Sequence, residues 1–216
     1  MEQAHDVDIH LYNEHGINCD NLSRGSSFDS WMGDKGKTRG VVAWNEHDKE
    51  YCGVYQPGGM AVRVTGAMTQ YVRNNDKDSR KLGRYCSVVF WANPNKKCRF
   101  VPIYNVCKGR PKGPRTQYQQ IMRYMQRKSI DNLKPRELFH ADRVRQIKKW
   151  IKDGEELCVM GDVNDDAVGG VFTEMLRQEG IEMEEFGQKL CDGKRWTLMP
   201  LGMDASLEGG KRLAWR

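Results

Sequence analysis

The chain has 216 residues, 38% hydrophobic and 30% charged, with a formal net charge of +6. That length suits one domain with a real core, and six Trp, eight Tyr and six Phe along it exclude a chain too polar to fold. No run of about 18 apolar residues occurs, so no transmembrane helix is expected, and the N-terminal Met-Glu-Gln-Ala-His-Asp lacks the basic and apolar regions of a secretory signal.

In chain order, Val7 to Tyr12 reads as a short strand leading into Asn13-Glu14. Residues 20–57 are loop-like, rich in Ser, Gly, Asp and Asn, with a short strand at Val41 to Trp44. After Pro57-Gly58-Gly59, Met60, Val62 and Val64 alternate with Ala61, Arg63 and Thr65, the period of a strand. Residues 74–83 read as a charged loop. Tyr85 to Trp91 and Cys98 to Val106 read as a hairpin around the turn residues Asn93-Pro94-Asn95. Gly109 to Pro114 breaks the chain, and Thr116 to Lys128 has helical character. Pro135 opens a second helix, with Leu138, Ala141, Val144, Ile147 and Ile151 at spacings of three and four, and Asp153-Gly154 ends it. Glu156 to Gly161 is a short apolar strand, Val168 to Gln178 a third helix, and Trp196 to Leu198 a last strand. This order predicts strands packed with helices in layers, an α/β domain.

The seven cysteines stand singly with no Cys-x-x-Cys, so free thiols are expected and a zinc site is not. Charge is segregated. Asn105 to Ile130 holds Lys108, Arg110, Lys112, Arg115, Arg123, Arg127 and Lys128 and no acid, whereas Asp153 to Asp192 holds twelve acids against Arg177 and Lys189. Two solvated faces of opposite sign account for this. So does an enzyme acting on polyanions, with the basic part holding phosphates and selected carboxylates holding a cation.

Gly161-Asp162-Val163-Asn164 places a carboxylate and a carboxamide at the end of an apolar strand. If the strand persists to Asn164, both side chains share one face. A carboxylate there can bind a hard cation or orient water, and a carboxamide can donate to a phosphate oxygen. Tyr104 ends another strand and Glu14 the first, so three polar groups at three strand ends are candidates to meet at one sheet rim.

In order, Tyr12-Asn13-Glu14-His15, Pro57-Gly58-Gly59-Met60, Gly83-Arg84-Tyr85, Ile103-Tyr104-Asn105-Val106-Cys107 and Gly161-Asp162-Val163-Asn164-Asp165 resemble successive landmarks of the endonuclease/exonuclease/phosphatase family. Thr116-Gln117-Tyr118-Gln119-Gln120, Pro135-Arg136-Glu137-Leu138-Phe139 and Asp153-Gly154-Glu155-Glu156 are similar to segments of its divergent forms encoded beside reverse transcriptases in non-LTR-type retroelements. The resemblance covers roughly residues 9–215. It implies a DNase-I-like, four-layer β-sandwich of mixed sheets flanked by helices. It implies Mg²⁺- or Mn²⁺-dependent hydrolysis of phosphodiesters, DNA foremost. Glu14 would ligate the metal, Tyr104 contact the scissile phosphate, Asp162 position or deprotonate water, and Asn164 hold a phosphate oxygen. Arg84 would serve packing or phosphate contact, and Lys108, Arg110, Lys112, Arg115 and Arg123 would grip nucleic acid. The same likeness implies a reverse transcriptase domain in a parent polyprotein and an intracellular, nuclear setting.

The chain departs from that pattern in three places. No Asn-bearing strand precedes Glu14, no Ser-Asp-His closes the sequence, and Ala214 stands where an Asp is usual. A single domain lacking a first strand and the C-terminal Asp-His strands is therefore expected, with poor turnover. His140, inside a helix, is expected to be structural or exposed. The competing readings are a nucleic-acid-binding remnant without chemistry and a phosphatase acting on a phosphoinositide or other small phosphodiester.

Overall fold

The computed structural model describes residues 8–22, 38–48, 55–93, 96–107, 113–165, 169–185 and 196–200. Two sheets pack face to face. The small one has the order β1 (Ile9–Asn13), β3 (Met60–Val64), β2 (Arg39–Ala43), all antiparallel. The central β3 is the most apolar of the three, and Met60, Ala61, Val62 and Val64 are fully buried.

The large sheet has the order β4 (Val72–Lys77), β5 (Cys86–Asn93), β6 (Lys96–Tyr104), β7 (Glu155–Asp162), β9 (Trp196–Pro200), β8 (Met183–Glu185). Only β6 and β7 run parallel, with Phe100 opposite Cys158 and Tyr104 opposite Asp162. Parallel strands covered on both faces are apolar throughout, and the Leu157-Cys158-Val159 run of β7 fits that. Alternation divides the side chains. Val88, Phe90, Phe100, Tyr104 and Cys158 face the small sheet, while Val101, Ile103, Leu157 and Val159 face the helices.

Helix α1 (Gln117–Arg127) adds Ile121, Tyr124 and Met125 to the core between the sheets. The Thr116 side chain caps it by accepting from the Gln119 amide at 3.3 Å. Helices α2 (Pro135–Lys152) and α3 (Val171–Gln178) cover the outer face of the large sheet with Phe139, Val144, Ile147, Trp150, Phe172 and Leu176. Pro135 opens α2, and Glu137 reaches back to the Lys134 amide at 2.8 Å. The layered α/β architecture of mixed sheets and flanking helices is thus present among the described residues. No helix among them is long and apolar enough to cross a membrane.

Two local expectations are corrected. Residues 74–77 belong to β4, an edge strand, rather than to a charged loop. On α2, Trp150 is buried and Ile151 exposed, because His140, Asp142 and Arg143 also face inward and turn the buried stripe. The described cysteines, Cys19, Cys86, Cys98, Cys107 and Cys158, are free thiols. Residues 201–216, with Ala214, lie outside the described residues.

Candidate active site

Tyr104 and Asp162 are the last residues of the two parallel strands and register partners, so they end side by side. Counting back by twos, both share the face of Phe100 and Cys158, which is the face toward the small sheet. That sheet supplies Glu14, just past the end of β1. Three chain segments far apart in sequence therefore deliver a phenol and two carboxylates to one mouth between the sheets.

The groups sense one another. Glu14 is held above its ordinary carboxylate pKa, first by partial burial and further by the charge of Asp162, while the facing Tyr104 hydroxyl opposes the rise. Tyr104 is pushed well above the ordinary phenol range by its own burial and then by Glu14. It stays a protonated donor at any working pH.

The backbone at this mouth is unusual. Glu14 (φ 52°) and Asn164 (φ 49°) both adopt the left-handed region that non-glycine residues seldom enter. The two residues after Glu14 hold it there. The His15 and Gly16 amides donate to the Gly59 and Gly58 carbonyls at 3.2 and 3.0 Å. His15 accepts from the Ile17 amide at Nδ1 (3.1 Å), which leaves Nε2–H to donate to the Ala43 carbonyl (3.2 Å). Burial lowers the His15 pKa, with the Ala43 carbonyl opposing, so the ring is neutral.

Strand geometry does not persist to Asn164: β7 stops at Asp162 and the chain turns. The Asn164 amide donates to Asp162 Oδ1 at 2.8 Å, and its side-chain Nδ2 donates to the Asn105 carbonyl at 2.7 Å. The turn, rather than the pleat, joins the Asp162 carboxylate to the Asn164 backbone. Gly161 lets β7 lie close against β6 here, because a Cβ there would lie 1.8 Å from the Ile103 carbonyl oxygen.

A second set of residues, which sequence reasoning did not assign to the site, holds the strand ends from behind. Arg136 Nη1 donates to the Val106 carbonyl (2.5 Å) and the Val163 carbonyl (3.4 Å), tying the segment after Tyr104 to the segment after Asp162. Asn105 Nδ2 lies 3.0 Å from Nε2 of the buried His140. Asn105 and Arg136 stand within segments that resemble the family, and His140 reads as structural or exposed, but no residue pattern marks them for the site.

Arg84 is not free for nucleic acid. Its side chain is 1% exposed and donates to Asp78 (2.7 and 3.0 Å) and Asp142 (2.8 Å). Packing is its role, and its carbonyl receives the Tyr104 amide at 2.9 Å. Arg123 is likewise committed, to Asp48 (2.7 and 3.2 Å) and the Pro114 carbonyl (2.7 Å). Arg115 is exposed, while Lys108, Arg110 and Lys112 lie outside the described residues.

The donors at the mouth are hard oxygens from Glu14, Asp162 and Asn164. No group of three or more His, Cys, Asp and Glu side chains suited to a metal occurs among the described residues. Mg²⁺, however, is usually held by one or two carboxylates, with water and substrate phosphate completing its shell. The Glu14 carboxylate, with the charge of Asp162 beside it, fits that need.

No protein-family model matches the sequence, and no curated protein matches it significantly. Solved structures do. The human Nocturnin catalytic domain with bound sulfate anion aligns at TM-score 0.52 and 10% identity, over 90% of this chain and 69% of that one. The 3′ phosphatase NExo from Neisseria, bound to product DNA hairpin, aligns at TM-score 0.52 and 10% identity, over 91% of this chain and 77% of that one. This chain has the DNase-I-like fold. In this DNase-I-like chain, Glu14, Tyr104 and Asp162 occupy the mouth of the sandwich, with Asn164 at its lip.

Proposed function

We propose that the protein is a divalent-metal phosphodiester hydrolase acting on nucleic acid, DNA foremost. The convergence of Glu14, Tyr104 and Asp162 from three strand ends carries this reading, and the fold shared with Nocturnin and NExo, which was captured with a DNA product, supports it. Glu14 would hold Mg²⁺ or Mn²⁺, with water and substrate phosphate completing its shell, and the ion would supply charge neutralisation at the phosphate. Tyr104 O–H donates to a phosphoryl oxygen as negative charge grows there. Asp162 orients the water and takes its proton. Asn164 keeps one amide hydrogen for the phosphate, the other being bound to Asn105. His15 and His140 both hold structural hydrogen bonds, so in this reading solvent protonates the leaving oxygen and turnover is slow. The likeness to retroelement endonucleases makes a reverse transcriptase the expected partner and the nucleus the expected setting.

The test is nicking of supercoiled plasmid with Mg²⁺ or Mn²⁺, comparing the native chain with Asp162→Ala and Glu14→Gln. Slow nicking by the native chain, reduced at least about 100-fold in both variants, is the expected result. Equal nicking by all three would remove the site from consideration. A second reading, binding without cleavage, draws on the commitment of one Asn164 amide hydrogen to Asn105. Plasmid retained in EDTA and never nicked would select it.

A further inference from the structure

Beside the mouth stands an aromatic ring that this chemistry does not use. Tyr55 is 70% exposed, the largest exposure among the exposed large hydrophobic side chains of the described residues. Its position is built rather than incidental. The Cδ2–Cε2 edge of the ring rests on Gly16, two residues past Glu14, where a Cβ would lie 2.9 Å from Cε2. Tyr55 bridges to Ile17 through the backbone, and the Gln56 amide donates to the Gly16 carbonyl at 2.9 Å. Gln56 is itself buried and donates to the Asn45 carbonyl at 2.8 Å. Gln120 in turn receives from the Asn45 side chain (2.8 Å) and donates to the carbonyl of the exposed Arg115 (3.1 Å). A chain of buried amides thus fixes the backbone at the base of an open ring.

A rigid, solvent-facing phenol next to a phosphate site has one use that costs little ordering entropy. It offers a π face to a flat heterocycle, and stacking on aromatics is how proteins hold unpaired bases regardless of sequence. Bases inside a duplex are already stacked and do not present their faces. We propose that Tyr55 is a substrate-binding residue that stacks a nucleobase flanking the scissile phosphate, so that the preferred substrate carries unpaired nucleotides there. This rests on the phosphodiesterase reading for the neighbouring phosphate, but the ring itself can be tested apart from it.

The experiment measures binding of a short labelled single-stranded DNA in EDTA, against the same strand with abasic sites and against a blunt duplex. The proteins are the native chain, Tyr55→Phe and Tyr55→Ala, and hydrolysis of bis(p-nitrophenyl) phosphate with Mn²⁺ is monitored in parallel. The native chain and Tyr55→Phe are expected to bind the base-bearing strand about tenfold more tightly than the abasic strand or the duplex. Tyr55→Ala is expected to fall to the abasic level with unchanged circular dichroism. Equal binding of abasic and base-bearing strands, or native-like binding by Tyr55→Ala, overturns the proposal. If the small diester is hydrolysed but no strand binds in a base-dependent way, Tyr55 is wrong and the hydrolase reading stands. Base-dependent binding lost in Tyr55→Ala, with no hydrolysis of any diester, leaves Tyr55 right and removes the hydrolase.

Discussion

Glu14 combines three liabilities at one residue: a left-handed backbone, partial burial and a neighbouring carboxylate. Its pKa is raised in the fold, so the native state binds that proton more tightly than the unfolded chain does. The associated stability is present at low pH and is lost as pH rises through the raised value. At neutral pH an ionised Glu14 therefore works against the fold, and a cation at the mouth would offset it. Thermal melts at pH 5 and pH 7.5 should show that Mn²⁺ stabilises the native chain more at the higher pH. Glu14→Gln should raise the melting temperature of the metal-free protein at pH 7.5 and abolish the response to Mn²⁺. An Mn²⁺ response that is identical at both pH values, or that survives in Glu14→Gln, would place the metal elsewhere. At this scale the sequence was informative where polarity met a strand end, as at Tyr104 and Asp162. It set Arg136 inside a motif and read His140 as structural or exposed, but it did not announce their partners, two backbone carbonyls and the Asn105 side chain.

The connection between β4 and β5 and the middle of α2 are joined by a buried ionic cluster. Asp78 accepts from Arg84 and faces Arg143 at 4.0 Å, while Asp142 accepts from Arg84 and, in bidentate fashion, from Arg80 (2.6 and 3.0 Å). Burial alone would raise both carboxyls, but the guanidinium partners overcome it and hold both below the usual carboxylate range. Such depressed groups contribute stability above the unfolded carboxylate pKa and lose it only as pH falls through the depressed values. Asp142→Asn, which leaves Arg84 and Arg80 short of a charge, should cost about 3–5 kcal/mol in urea unfolding at pH 7. That cost should shrink in acid, as pH falls through the depressed value of the native Asp142; a cost independent of pH would argue that the ion pairs contribute little. Element prediction succeeded where one face of a segment is apolar, as in β3 and α1. It failed at β4, where only Val72 enters the core and Arg73-Asn74-Asn75-Asp76-Lys77 lies along a sheet edge. Edge strands are kept polar to deter pairing with other chains, so the alternation that marks a strand is missing. Arg84, read as serving packing or phosphate contact, is held by Asp78 six residues away and by Asp142 of another element.

Across the whole molecule, a formal charge of +6 and an acid-free stretch from Asn105 to Ile130 favour a polyanion, yet the fold has already neutralised part of that stretch through Asp48. Electrostatic capture should therefore be present but smaller than a count of cations suggests. Titrating single-stranded DNA at 50 and 200 mM salt should show affinity falling about tenfold or more as condensed counterions are released. A flat response would mean that the basic stretch does not touch phosphate. The parallel pairing of β6 with β7 carries a different consequence. Tyr104 and Asp162 become neighbours only after the chain has crossed back through both α1 and α2. Local hairpins such as β5–β6 close early, whereas a pairing across so long a loop waits for the helices to dock. The mouth is therefore expected to form after the hairpin, and in a pulse-labelled refolding reaction the Asn105 amide, bonded to the Asp162 carbonyl, would be protected after those of the hairpin.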